Sequence, residues 1–281
     1  MTVVDRTVAP ATPRRGGLLL RVLPPALYAG RASALIERSA LAYSRAWLVF
    51  LSGVFEPLFY LVAFQIGFGK LVGEVVGPGG ETITYVAFVA PALLAASAMN
   101  GAVFDSTFGV FFKYRYQKTY DAMLATPVGP LDIALGEIGW AVLRGGLYAL
   151  SFLGVMGAMG LVVTPWAVLL VPAALLVSFA FAAVGMACAT FLRSTSQFDF
   201  IQLAVMPMFL FSTTFFPLSV YPGALQYVVQ CLPLYHGVEL LRGLSTGVLD
   251  PSMIGHVAYL VVMACVGVWA ASRRLAGLLL T

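Results

Sequence analysis

The sequence predicts an all-α polytopic membrane protein with six transmembrane helices, on three observations. First, 60% of its 281 residues are apolar and only 10% are charged, against about 25% charged in an average soluble domain. Second, a mean hydropathy of +0.94 leaves too little polar surface to coat a soluble globule. Third, the apolar residues fall into runs of the length a bilayer demands, roughly 20 residues per helical span. The same composition excludes a disordered chain, a collagen and a disulfide scaffold, and no room remains for a soluble catalytic domain. Cys188 and Cys265 lie inside apolar runs, and the cysteines read as small buried hydrophobes.

Residues 1–25 carry Arg6, Arg14, Arg15 and Arg21 among Pro10, Pro13, Pro24 and Pro25. They read as a flexible cytoplasmic tail, because the apolar stretch after Arg14-Arg15 stops at Arg21, too soon for an export signal. Residues 26–45 mix Leu27, Tyr28, Leu35 and Leu41 with Arg31 and Arg38, which suits an amphipathic helix lying in the membrane interface. Residues 46–281 form the transmembrane domain. Its spans are expected at roughly 46–68, 83–108, 133–160, 166–192, 200–216 and 254–272. With six spans, both termini and the even-numbered connections share one side. That side holds thirteen basic residues, among them Lys113, Arg115, Lys118, Arg193, Arg273 and Arg274, against Lys70 and Arg242 on the other. Positive charge collects inside, so both termini are expected in the cytoplasm.

Glu56, Asp105, Glu137, Arg144 and Asp199 fall within or at the ends of apolar runs. A charge at the bilayer centre costs about 2.5–3.5 kcal/mol on insertion scales. Such residues therefore either pair with one another or serve the function. Glu56, next to Pro57, is the deepest and the best candidate for a substrate-facing group.

Two connections carry pattern. From Phe111 to Ala125 the chain has helix formers and no breaker, until Thr126-Pro127 and Gly129-Pro130 stop it. On such a helix Tyr116, Tyr120 and Met123 share one face. The reading from spacing is either an interfacial helix anchored by tyrosines or a helix that docks in a partner's groove. The second connection, 217–253, holds two short helical stretches divided by Pro233, too short to span and able only to dip into the outer leaflet. There, His236, Glu239 and Arg242 recur every third residue. They read as a Glu239–Arg242 ion pair with a hydrogen-bonded His236, or as contacts to a sugar or polar head group; a metal centre would need more ligands.

The stretches YQKTYDAMLATPVGPLDIALGEIGWAVLRG (116–145) and MPMFLFSTTFFPLSVYPGALQYVVQCLPLYHGVELLRGL (206–244) closely resemble permease subunits of ABC-2 type exporters, in particular lipo-chito-oligosaccharide and related lipo-oligosaccharide exporter permeases. The resemblance implies a six-span core with an N-terminal interfacial helix, cytoplasmic termini and a re-entrant outer hairpin. It also implies a coupling helix that engages a separate ATPase through Tyr116, Gln117, Lys118, Thr119, Tyr120, Asp121, Met123 and Leu124. Spans one, two and five would face a dimer axis, so Phe209, Phe211, Phe215 and Phe216 would line the pathway; Glu56, His236, Glu239 and Arg242, singled out above by charge and position, are its candidate polar groups. Two permease copies, expected as a homodimer with a heterodimer with a second permease left open, would work with two ATPase chains in the cytoplasmic membrane. The chain has no phosphate-binding loop, no nucleophile elbow and no zinc-protease motif. It is therefore expected to bind no cofactor itself, ATP and Mg²⁺ belonging to the partner. Other readings stay open: efflux of hydrophobic drugs or antibiotics, an intramembrane enzyme, and a channel working without ATP.

Overall fold

The computed structural model describes residues 30–44, 55, 58–126, 128–162 and 164–279. In chain order these form α1 (Ala32–Ser44), α2 (Leu58–Phe68), β1 (Glu74–Val76) and β2 (Thr82–Thr84). Next come α3 (Tyr85–Arg115), α4 (Thr119–Leu124), α5 (Pro130–Ala158) and α6 (Pro165–Ala189). The chain closes with α7 (Phe198–Phe211), α8 (Gly223–Cys231), α9 (Pro233–Thr246) and α10 (Ser252–Leu279). The protein is predominantly helical, and α3, α5, α6 and α10 are long and apolar enough to cross a membrane.

Three features differ from the sequence expectation. The chain is not purely α-helical. Val75, Val76, Thr82, Ile83 and Thr84 are β-branched, a residue class that favours strands, and Gly80 takes a φ of +82° in the turn between them. The result is an antiparallel hairpin with Glu74 opposite Thr84, and α3 starts only at Tyr85, capped by the Thr84 hydroxyl. The fifth run ends early. α7 stops at Phe211, because the chain leaves helical space at Ser212 and Thr213 adopts a left-handed φ of 53°. The three cysteines are all exposed rather than buried. An apolar residue on a membrane helix can face lipid as readily as protein, so an apolar run does not imply burial. Of the first expected span, residues 46–57 lie outside the described residues except Phe55, and the remainder is α2.

α6 sits at the centre, packed against α3, α5, α9 and α10. Its small residues make this possible: Ala173, Ala174, Ala180, Ala182, Ala183, Gly185 and Ala187 are all buried. Helices in lipid approach closely where side chains are small. A Cβ on Gly145 of α5 would stand 2.4 Å from the Ser178 hydroxyl, and one on Gly267 of α10 would stand 2.8 Å from Ala183. Gly267→Val is therefore expected to cost about 1–3 kcal/mol through overpacking, visible as a lower melting temperature in detergent. An unchanged melt would mean that α10 can shift away freely.

One carboxylate joins two helix starts. Asp132, fully buried, accepts the Gly129 N–H at 3.0 Å to cap α5 and the Arg31 N–H at 2.8 Å at the start of α1. An acid in this place also complements the helix dipole. Leu35 and Ile36 of α1 then pack on the bare faces of Gly136 and Gly139. α1 is thereby fixed along the first turns of α5. Residues 1–29 and 45, which complete the expected tail and interfacial helix, lie outside the described residues.

Candidate coupling surface and cleft

α4 lies at the end of the bundle that carries Lys113, Arg115 and Lys118. The helix expected over 111–125 is interrupted: α3 runs to Arg115, and Lys118 takes a left-handed conformation, φ 47° and ψ 33°, before α4 begins. The break splits the expected aromatic stripe. Tyr120 is 0% exposed and Met123 is buried, whereas Tyr116 is 61% exposed and stacks on Phe112 at 5.2 Å. Gln117, Lys118 and Asp121 also face outward, while Thr119 and Leu124 are half-buried. α4 thus has an anchoring face, Tyr120 and Met123, while the turn before it, Tyr116 to Lys118, and Asp121 on it form a presenting surface. Burial, followed by the neighbouring Glu137 carboxylate, pushes the Tyr120 phenol well above its ordinary pKa. It therefore keeps its proton.

Of the charges expected inside the spans, Asp105, Glu137 and Arg144 find partners. Lys113 Nζ meets Glu137 Oε2 at 2.6 Å, and Arg144 Nε meets Asp105 Oδ2 at 2.9 Å. Both pairs bridge α3 and α5. Asp199 takes no part in them and is exposed. It lies at the rim of a cleft of about 590 Å³ between α3, α5 and α7, lined by Ser97, Asn100, Arg144, Tyr148, Asp199 and Gln202 among others. A second space of about 380 Å³ shares Ser97, Asn100 and Gln202 and adds Tyr60, Met206 and Phe209. Together they form a groove with polar groups set in apolar walls, the form of a small-molecule site.

The sequence reading finds part of this groove and misses its polar centre. Phe209 lines it. Phe215 instead packs on Phe209 and Phe64, with ring centroids at 5.2 and 5.6 Å. Phe211 and Phe216 are exposed on the surface. Glu56 lies outside the described residues. Ser97, Asn100 and Gln202 carry no charge and drew no attention, yet an amide inside an apolar helix is the signal that would have found them.

The motif on α9 resolves into a clamp. Arg242 is 2% exposed, and its guanidinium donates to Glu239 Oε1 at 2.6 Å, to the Thr213 carbonyl at 2.6 Å and to the Phe88 carbonyl at 3.3 Å. It lies 3.8 Å from the centroid of the Phe88 ring. The Thr213 hydroxyl donates to Glu239 at 2.8 Å. Arg242 therefore faces protein on every side and is closed off from the groove, whereas Glu239 stays partly open. His236 and His256 bring their Nδ1 atoms within 2.8 Å, and His236 stacks on Tyr259 at 3.9 Å. Among the described residues, no three His, Cys, Asp or Glu side chains are placed to hold a metal ion.

The chain matches the family model described as ABC-2 type transporter over residues 31–245. Among curated relatives, nodulation protein J of Rhizobium meliloti (strain 1021) is 35% identical over 215 residues, 75% of this chain and 79% of the relative. Nodulation protein J of Rhizobium leguminosarum bv. viciae is 33% identical over 85% of this chain and 93% of its own length. The inner membrane transport permease YadH of Escherichia coli (strain K12) is 24% identical over 78% of this chain. The matched residues run from the start of α1 through α4 and the groove to the Arg242 clamp, and the chain belongs to the ABC-2 type transporter family.

Proposed function

We propose that the chain is the permease subunit of an ABC exporter that moves a lipid-linked, lipo-oligosaccharide-type amphipathic substrate across the cytoplasmic membrane. Two copies form one pathway, each docked on an ATPase chain that binds ATP and Mg²⁺. In this reading α2 and α7 complete a six-span core, the basic end and both termini lie in the cytoplasm, and α8 and α9 form a re-entrant outer hairpin. The observation that carries it is α4: a short helix anchored by a buried tyrosine, with Tyr116, Gln117, Lys118 and Asp121 presented outward at the basic end. A partner that pushes on this surface pushes on the bundle, because the anchor leaves no slack. Similarity to nodulation protein J supports a lipo-oligosaccharide-type cargo. The groove suits it chemically, since Asn100 and Gln202 offer amide hydrogen bonds to hydroxyl groups while Met206 and Phe209 offer adaptable apolar walls.

The test is co-expression with the ATPase encoded beside the gene, purification, and assay of ATP hydrolysis in proteoliposomes. A stable complex whose vanadate-sensitive hydrolysis rises with a lipo-chito-oligosaccharide supports the reading. Stimulation by hydrophobic drugs alone would move the cargo to the drug class, and a chain that purifies without any ATPase would sink the exporter reading. Within an assembled complex, Asn100→Leu with Gln202→Leu is expected to weaken glycolipid stimulation about tenfold, the equivalent of about 1.4 kcal/mol of lost binding. An unchanged stimulation curve would place the cargo elsewhere.

A further inference from the structure

The two ion pairs between α3 and α5 form a ladder that runs from the end of α3 next to α4 to the groove. Lys113, at the end of α3 that leads into α4, is held by Glu137 of α5. Seven residues further along α5 stands Arg144, paired with Asp105. Arg144 lines the groove and lies over the Tyr148 ring, another part of its wall, at 5.6 Å. The two pairs therefore tie α3 to α5 from the end next to α4 as far as the groove wall, and their charged members are nearly buried.

The spacing of the rungs explains an irregularity in α3. On α5, Glu137 and Arg144 are seven residues apart, so they share a face and stand about 10 Å apart along the axis. Their partners on α3, Lys113 and Asp105, are eight residues apart. In a regular helix, eight residues would turn Asp105 about 80° away from the stripe that faces α5. Between them, Asp105–Gly109 is a single π turn, which takes up one extra residue. The π turn restores the register and lets both pairs close.

We propose that Glu137 is a positioning residue for transport: through Lys113 it locks α5 to the end of α3 that leads into α4, so that displacement of α4 moves the α3–α5 wall of the groove as one body, with the Asp105–Gly109 π turn setting the register. This rests on the coupling role proposed for α4. Separating a buried ion pair leaves an uncompensated charge in a low-dielectric interior, so the two rungs resist slippage where an apolar contact would slide. Across the groove, no ion pair joins α7 to α3 or α5 among the described residues. α7 meets α3 through ring contacts such as Phe198 on Phe108, centroids 3.8 Å apart. Movement of the pinned wall against the unpinned helix changes the width of the groove.

The experiment uses the permease–ATPase complex in proteoliposomes, with Cys188, Cys231 and Cys265 replaced by serine and Gln202→Cys as a reporter. The rate of maleimide labelling at the reporter is measured without nucleotide and after trapping with ATP and vanadate. In this background trapping is expected to change the labelling rate; in Glu137→Gln the change is expected to shrink about fivefold or more, with ATPase association and basal hydrolysis held within about twofold. The paired exchange Lys113→Glu with Glu137→Lys restores the opposite charges and is expected to recover the change, whereas Glu137→Lys alone is not. Lys113→Gln, which removes the other partner of the same pair, provides a second reading if Glu137→Gln fails to accumulate, and is expected to reduce the change in the same direction. An undiminished change in Glu137→Gln, or in Lys113→Gln, would overturn the proposal, as would a reporter that never responds to trapping in an active complex. If no ATPase associates even with the unsubstituted chain, the coupling reading itself fails, a result separable from all of these.

Discussion

Arg242→Ala is expected to destabilise the fold by about 3–5 kcal/mol, the usual consequence of removing one partner from a buried ion pair. The guanidinium holds Glu239 within α9, the carbonyl of Phe88 in α3 and the carbonyl of Thr213 in the turn that ends α7. Alanine would leave the Glu239 carboxylate without its cation and the Thr213 carbonyl without this donor. Thr213 is a β-branched residue in a left-handed conformation, which is strained in itself and persists only while its surroundings hold it. The expected result is loss of folded protein from the membrane fraction, read by fluorescence-detected size exclusion. Arg242→Lys keeps the charge but not the forked geometry, and is expected to recover only part of the yield. A monodisperse Arg242→Ala protein with a normal melting temperature would show that the clamp is dispensable.

Tyr116→Ala combined with Asp121→Arg is expected to lower the amount of co-purified ATPase tenfold or more, about 1.4 kcal/mol or greater in binding, while the permease itself melts normally. Both side chains are exposed on the presenting surface, Tyr116 just before α4 with its ring stacked on Phe112 and Asp121 on α4 itself. A large exposed aromatic flanked by polar groups has the character of an interface anchor. Tyr120→Ala and Met123→Ala act differently: they remove the anchoring face and are expected to lower permease stability as well as association. Separating the two pairs by melting temperature and by pull-down distinguishes docking from anchoring. Full ATPase recovery with the Tyr116 and Asp121 double variant would place the docking surface elsewhere.

The aromatic residues of α4 show how far sequence periodicity reaches. Tyr116, Tyr120 and Met123 fall on one face of any continuous helix, and no residue from 111 to 125 is a breaker. A single left-handed residue, Lys118, undoes that inference. Lysine has no special preference for this conformation, so nothing local announces it. With the break, Tyr120 packs inward beside Glu137 while Tyr116 remains outside, stacked on Phe112. The same limit applies to the groove. Ser97, Asn100 and Gln202 are visible as polar residues in apolar runs, but their convergence depends on how α3 and α7 face each other.

What the sequence determined by itself is the set of long apolar helices and the punctuation around them. Transfer of some 20 residues into lipid depends only on those residues, so the runs that became α3, α5, α6 and α10 are legible one at a time. The Gly-Pro and Thr-Pro breaks that end α4 and open α5 are equally local. Only the tertiary structure decided that Asp105 meets Arg144 and Lys113 meets Glu137, that Asp132 caps two helices at once, and that Arg242 closes on Thr213 and Phe88. Each of these pairs residues brought together by helix packing and, at one point, by an extra residue in a π turn. A charge in an apolar run announces that it needs a partner; which partner it finds is a property of the packed bundle.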